Sequence, residues 1–403
     1  MCRFPEETKM KIILKKNNPT VLHGLFAFWL LSEYLFEYSV VSRLALLLFV
    51  SGVLLVSSKL RWPYVLTWYG LLILWSCLNI ALGYAVSTGL AAKMTRTLFL
   101  NLLFLYAFVR YIRYTDDIRI VLTIYRWIAL FFSSVCLIGG IGSILAGQRL
   151  TILGINSNSI AMLAAYALIL WVNELLDTPA VRRIHEFPYL LVLLTTILFT
   201  GSRKGLLLVF LGIYLLICFR NPRKFLPYTL AVLLLASAAL FLLLKVDFFY
   251  GILGYRVEAV LQFLQGADVN ESSLTSRAGY LSLAWNRSQD SPVFGHGLDC
   301  FRTLPRSYGT YSHCNYAELL YSLGWVGIFL YYAPCIWTLF RIPVRSRTTP
   351  DFIPPAAALL ISYMICDVLN VTYFTRTSLM IPMLAMQMTI SRRNQCHEDL
   401  DAA

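Results

Sequence analysis

Apolar residues run along this chain in long blocks divided by short polar ones, not in the two-residue alternation of a half-buried strand. A helix needs roughly 20 apolar residues to cross the hydrocarbon core of a bilayer. Blocks of about that length occupy 20–37, 40–57, 63–84, 92–111, 120–145, 157–175, 188–200, 204–219 and 226–245. Three more follow at 315–340, 354–371 and 374–391. The 188–219 pair is short, and Gly201-Ser202-Arg203-Lys204-Gly205 interrupts it. The pattern predicts an all-α polytopic membrane protein of about 12 transmembrane helices. Its parts are a tail over 1–19, helices 1–9 over 20–245, a loop over 246–314, helices 10–12 over 315–391 and a tail over 392–403.

Charge assigns the two sides. With the N-terminus inside, the inner loops carry Lys59/Arg61, Arg110/Arg113/Arg119, Arg182/Arg183, Arg220/Arg223/Lys224 and Arg341/Arg345/Arg347. The tails add Lys9, Lys11, Lys15 and Lys16 at one end and Arg392/Arg393 at the other. The loop after the third span, near Ala85 to Leu90, has no charge. This is the bias that orients polytopic proteins, and it predicts both termini in the cytoplasm. The first apolar run lacks a small-residue cleavage site and reads as a retained span, not a signal peptide.

Composition agrees. Of 403 residues 58% are apolar and 14% charged, with a mean hydropathy of +0.67. A soluble domain carries about 25% charged residues, so composition argues against a cytosolic enzyme. The net charge of +13 is spread in small groups between spans, which argues against a nucleic-acid stripe. The nine cysteines form no CxxC pair and suggest neither a zinc site nor a disulfide framework.

The exceptions to the charge rule carry more information. Arg203 and Lys204 fall in a tight outer turn, and Arg149 ends an outer loop. The long outer segment holds Arg256, Arg277, Arg287, Arg302 and Arg306. Long loops translocate regardless of charge, which accounts for most of that set. It does not account for Arg203, and an ionisable group at membrane depth is a functional candidate by default. Within the loop, Leu253, Val257, Val260, Leu261 and Leu264 recur at helical spacing, as in an amphipathic helix lying on a membrane surface. A second helix is predicted from Thr275 or Ser276 as N-cap, placing Arg277 in its first turn. The loop reads as an active-site wall or a structured cap.

Certain pieces resemble a known superfamily. They are Thr200-Gly-Ser-Arg-Lys-Gly205, then Ser276-Arg277 with Trp285, then Pro292-Val-Phe-Gly-His-Gly297 with Phe301. His313-Cys-Asn-Tyr-Ala-Glu318 and Leu323-Gly-Trp-Val-Gly327 follow, and Gly154-Ile-Asn-Ser-Asn158 precedes them. In order and spacing they resemble the bacterial O-antigen ligases and their relatives, the O-antigen polymerases and O-linked oligosaccharyltransferases. The close resemblance covers about residues 150–330. Many relatives carry His-x-His-Asn where this chain has Cys314 in the second position, leaving His313.

The resemblance implies a glycosyltransferase-C-like fold with a periplasmic site in the bacterial inner membrane. It implies transfer of a glycan from undecaprenyl diphosphate to a sugar hydroxyl of lipid A-core, completing lipopolysaccharide, without a metal or other cofactor. Arg203 and Arg277 would bind the diphosphate, since a guanidinium pairs bidentately with phosphate oxygens. Lys204 and Arg149 are secondary candidates. His313 would be the catalytic base, kept neutral by nearby arginines, in one inverting displacement. Tyr316 and Glu318 would support it, Glu318 either orienting His313 or capping the helix. Asp367, inside the eleventh predicted span, would orient an active-site arginine or pair with Arg376. Lys93 and Arg96 would snorkel to headgroups. Cys300 and Cys314 would be a disulfide or two free thiols. Two rivals remain: an O-antigen or exopolysaccharide polymerase, and a flippase of lipid-linked sugars. A flippase should hold its charges near the midplane and show internal repeats, and neither feature is visible in the sequence.

Overall fold

A computed structural model describes residues 19–36, 39–57, 62–115, 117–152, 154–267, 272–345 and 350–390. Lys9, Lys11, Lys15, Lys16, Lys59, Arg61, Asp268, Glu271, Arg347, Arg392 and Arg393 lie outside the described residues, as do the side chains of Arg182 and Arg345. The described residues are helical throughout their regular structure. A helix stands on each of the predicted apolar blocks. They are α1 (Pro19–Leu35), α2 (Val40–Val56), α3 (Tyr64–Ala81), α4 (Thr88–Tyr114) and α5 (Ile118–Gly139). Then come α6 (Ser157–Asp177), α7 (Ala180–Phe199), α8 (Arg203–Arg220) and α9 (Phe225–Lys245). The loop contributes α10 (Tyr255–Leu264) and α11 (Ser272–Ser288), and the chain closes with α12 (Asn315–Arg345), α13 (Ile353–Cys366) and α14 (Arg376–Met388).

Among the described residues, six segments are long and apolar enough to cross a membrane: Tyr64–Ala81, Thr88–Tyr114, Ile118–Gly139, Ser157–Asp177, Pro222–Lys245 and Asn315–Ile342. Val40–Val56 and Ile353–Cys366 are apolar but shorter. The outward faces are apolar too: Leu47, Leu55, Leu74, Leu234 and Phe340 are all exposed. Such a surface is stable against lipid, not water. Inside, Trp29 and Phe26 of α1 pack on Phe49 of α2 and on Phe104 and Phe108 of α4.

The inter-helix turns sort onto two ends of the bundle. At one end the Val86 N–H donates to the His296 carbonyl at 2.9 Å, Leu150 to Phe199 at 2.7 Å, and Asn315 to Asp367 at 2.8 Å. At the other, Arg220 pairs with Asp177 at 2.7 Å, Arg119 with Asp351 at 3.6 Å, and Arg110 donates to the Ser57 carbonyl. Turns predicted outside meet one another, and turns predicted inside do the same.

Four boundaries depart from the sequence pattern. The helix predicted from 188 begins at Ala180 and carries Pro188 inside, so α7 is 20 residues long, not short. The predicted 354–371 span ends at Cys366, with Asp367 as its C-cap. α11 starts at Ser272, which puts Thr275 and Ser276 inside the helix and Arg277 beyond its first turn. Serines at 272, 273 and 276 all offer a cap, and local chemistry does not rank them.

The fourth departure is a break in α12 at Gly324, where φ is 67° and ψ −167°. Only glycine takes this conformation without severe strain. The Pro292–Gly297 passage packs into the break and supplies the missing partners. The Trp325 N–H donates to the Pro292 carbonyl at 2.9 Å, while His296 and Gly297 N–H groups donate to Tyr321 and Ser322 carbonyls. Trp75 Nε1 donates to the Leu323 carbonyl at 3.1 Å. Every backbone group freed by the break that these bonds reach is satisfied within the protein, as a low-dielectric setting demands. The long loop is thereby pinned to the bundle.

Candidate active site

The site grows from the start of α8. Ser202 is its N-cap, accepting from the Gly205 N–H, and Arg203 and Lys204 are the first two helical residues. A helix start with open N–H groups favours an anion, and two cations reinforce it. The turn before it is fixed from behind. Gly201 has φ +58°, and a Cβ there would meet the Ile252 carbonyl at 2.6 Å and Arg149 Nε at 3.0 Å. Arg149 Nε donates to the Thr200 carbonyl at 2.8 Å, and Ser202 Oγ donates to Asn158 Oδ1 at 2.8 Å. Arg149 therefore holds the turn. Arg203 Nη1 donates to the Arg256 carbonyl at 2.9 Å, tying α10 to the same place.

Lys204 is buried, and its Nζ donates to Asn370 Oδ1 at 3.3 Å. It lies in the field of Arg277 and Arg203, opposed by that of Asp367. Arg277, on α11, is half-buried, and its charge acts on both Lys204 and His313. His313 precedes α12 with φ 61°, a left-handed conformation uncommon for a side-chain-bearing residue. Its ring packs between Tyr311, 4.5 Å away, and Tyr280 of α11, 6.0 Å away. Burial, and then the charges of Arg277 and Lys204, push its pKa down to about 4. The imidazole is neutral at any ordinary pH and able to accept a proton. The fold thus brings together Arg203, Lys204, Arg277 and His313, which the sequence separates by more than a hundred positions.

The other expected residues serve the scaffold. Glu318 is buried and accepts at 2.7 Å from the N–H of Ser312, three residues before α12 begins, so it anchors the loop bearing His313 and neither bonds that ring nor caps a helical N–H. The Tyr316 hydroxyl donates to the Met364 carbonyl at 2.8 Å, and its ring stacks on Tyr332. Asp367 accepts from Tyr332, Thr372 and Asn315 at 2.7, 2.8 and 3.1 Å. Its expected pairing with Arg376 does not form, because three neutral donors satisfy the carboxylate and Arg376 pairs with Glu33 at 3.4 Å. Cys300 and Cys314 are free, buried thiols in one small apolar cluster. His296 bonds the Arg287 carbonyl at 2.9 Å and holds the loop. Lys93 and Arg96 are exposed near the start of α4.

Sequence reasoning missed Asn370, Tyr280 and Tyr311. Asn158 stood within a quoted motif, but only the fold shows it gripping the N-cap. Among the described residues no three His, Cys, Asp or Glu side chains gather as metal ligands.

Residues 188–332 match the O-antigen ligase family model. The match covers about a third of the chain, from within α7 through the break in α12. It contains Arg203, Lys204, Arg277, His313, Tyr316 and Glu318; Arg149, Asp367 and Asn370 lie outside it. No curated protein matches the chain.

Proposed function

We propose that this protein is an O-antigen ligase of the bacterial inner membrane. It would transfer a glycan from undecaprenyl diphosphate to a sugar hydroxyl of lipid A-core at the periplasmic face. The observation that carries this reading is the convergence of a cationic helix start, Arg277 and a neutral histidine within the O-antigen ligase segment.

Breaking a glycosyl–diphosphate bond releases a polyanion. Arg277, Arg203, Lys204 and the N-terminus of α8 offer positive charge where that anion would form, in place of a divalent cation. Each hydrogen bond to a charged group contributes about 1.5–3 kcal/mol, and such preorganised charge lowers the barrier where charge develops. The acceptor hydroxyl oxygen attacks the anomeric carbon, the bond from that carbon to the diphosphate oxygen breaks, and His313 takes the hydroxyl proton. One displacement predicts inversion. Arg203 and Lys204 stand at the start of α8 and His313 just before α12, not in mid-helix, which disfavours a flippase.

The test is transfer in vitro with undecaprenyl-diphosphate-linked O-antigen and lipid A-core, in EDTA, by wild type, Arg277→Ala and His313→Ala. Laddered lipopolysaccharide from wild type, and its loss by at least a hundredfold in both variants, is the expected result. Longer lipid-linked chains without attachment to lipid A would make the protein a polymerase. No product from folded protein with verified substrates would overturn the reading.

A further inference from the structure

Beside the cationic cluster lies a cavity of about 550 Å³, between α1, α4, α6, the 367–375 turn and the start of α14. This size falls in the roughly 300–1,000 Å³ range of pockets that hold small ligands. It touches the site at three points: Asn158 holds the Ser202 N-cap, Asn370 accepts from Lys204, and Tyr311 packs on His313. Its chemistry is unlike the cluster's. Glu33 and Asp367 balance Arg302 and Arg376, so the lining charges cancel. Arg302 is committed to Asp299 at 2.8 Å, and Arg376 to Glu33. Between these charges the wall sets hydroxyls and amides such as Thr97, Asn156 and Ser378 beside apolar faces such as Phe374, Met94 and Ile155.

A phosphate would find no excess positive charge there, and an acyl chain would strand polar groups at a cost of about 1–3 kcal/mol each. A neutral, hydroxyl-rich ligand with apolar ring faces matches the wall. We propose that this cavity binds saccharide units of the reactants, with Glu33 and Arg376 as their hydrogen-bonding pair. The inference rests on the glycan-transfer reading for its choice of saccharides, but its test does not require turnover. The basic cluster would take the diphosphate while the cavity takes the sugars, with His313 at their junction.

The saccharides of donor and acceptor share this chemistry, and the experiment separates them. Full-length protein in nanodiscs is titrated with free O-unit oligosaccharide and with core oligosaccharide released from lipid A, followed by saturation-transfer NMR. Thr97→Trp and Ser378→Trp fill the cavity from α4 and α14. The expected result is loss of one saccharide's binding by at least tenfold in both variants. Binding of undecaprenyl diphosphate lacking sugar stays within twofold. The saccharide lost identifies the occupant as donor or acceptor. This outcome stands even where wild type transfers nothing, so failure of the ligase reading is seen separately.

Unchanged binding of both saccharides in both variants, or no binding of either by wild type, overturns the proposal. If the tryptophans also abolish diphosphate-lipid binding, the near-isosteric Glu33→Gln decides. A rise in one saccharide's Kd of about fivefold supports the proposal, corresponding to one lost hydrogen bond, and an unchanged Kd overturns it.

Discussion

His313 shows how much a single position draws from its neighbours. A histidine ordinarily titrates near 6.5, but burial and the charges of Arg277 and Lys204 bring this one to about 4. The neutral base form therefore prevails above about pH 4, and kcat/KM should keep its acid limb near 4, not 6.5. Arg277→Gln removes one of the lowering charges and should move that limb upward, which the residual activity of the variant will report. Burial, the largest cause, remains, so the limb stays below 6.5. The same shift carries a stability signature. Between pH 6.5 and 4 the unfolded chain binds a proton that the folded site refuses, so this group makes stability fall as pH is lowered through that window. Glu318 acts on His313 only through the backbone. Glu318→Ala leaves the buried Ser312 N–H without its acceptor, which costs about 1–3 kcal/mol. Thermal unfolding in detergent should show that loss, together with a fall in kcat from a misplaced loop. Arg203, Arg277 and His313 were legible in the sequence because cations on an outer face break a charge rule. Asn370 was not, since a neutral amide before a Val-Thr pair breaks none.

Helices were the easiest part to read and their interruptions the hardest. A bilayer requires long apolar blocks, so α1 to α9 and α12 to α14 could be placed from hydropathy. The break in α12 could not, because its cause is not local: Gly324 is stable at φ 67° only where Pro292–Gly297 pairs with the freed backbone. The early end of α13 has the same origin, with Asn315 Oδ1 accepting from the Thr372 and Tyr373 N–H groups. Gly324→Ala tests the coupling between these elements. A Cβ would lie 2.2 Å from the Val293 carbonyl oxygen, a backbone atom that cannot step aside. Forcing a non-glycine residue into this region costs about 1–3 kcal/mol before the clash is counted. The variant should unfold at lower temperature and lose transfer activity, while Gly24→Ala, at a helical site with nothing within 4 Å, should keep its activity. Equal behaviour of the two would show that the 292–297 passage does not depend on the break.

At the scale of the whole molecule, the least supported element is α9. Of its 21 residues only Leu243 is buried, and Leu230, Leu233, Leu234, Leu235 and Phe241 are all exposed. In water such a helix would collapse onto another surface; surrounded by lipid tails it needs no further partner, because lipid is as apolar as leucine. Its position also makes it the hinge of the topology. α9 is the one long apolar helix between the Arg220–Lys224 turn and the loop that bears Arg277, so a spanning α9 puts them on opposite faces of the membrane. Asn221, just before α9, and Gln289, just past the end of α11 in the loop after α9, are both exposed. In cells with a permeabilised outer membrane, Gln289→Cys should react with an impermeant maleimide above the background of the native thiols, and Asn221→Cys only after lysis. Labelling of both without lysis would mean that α9 lies on the membrane and does not cross it. Arg277 and the basic turn after α8 would then share one side, and the charge asymmetry that predicts a periplasmic site would no longer hold.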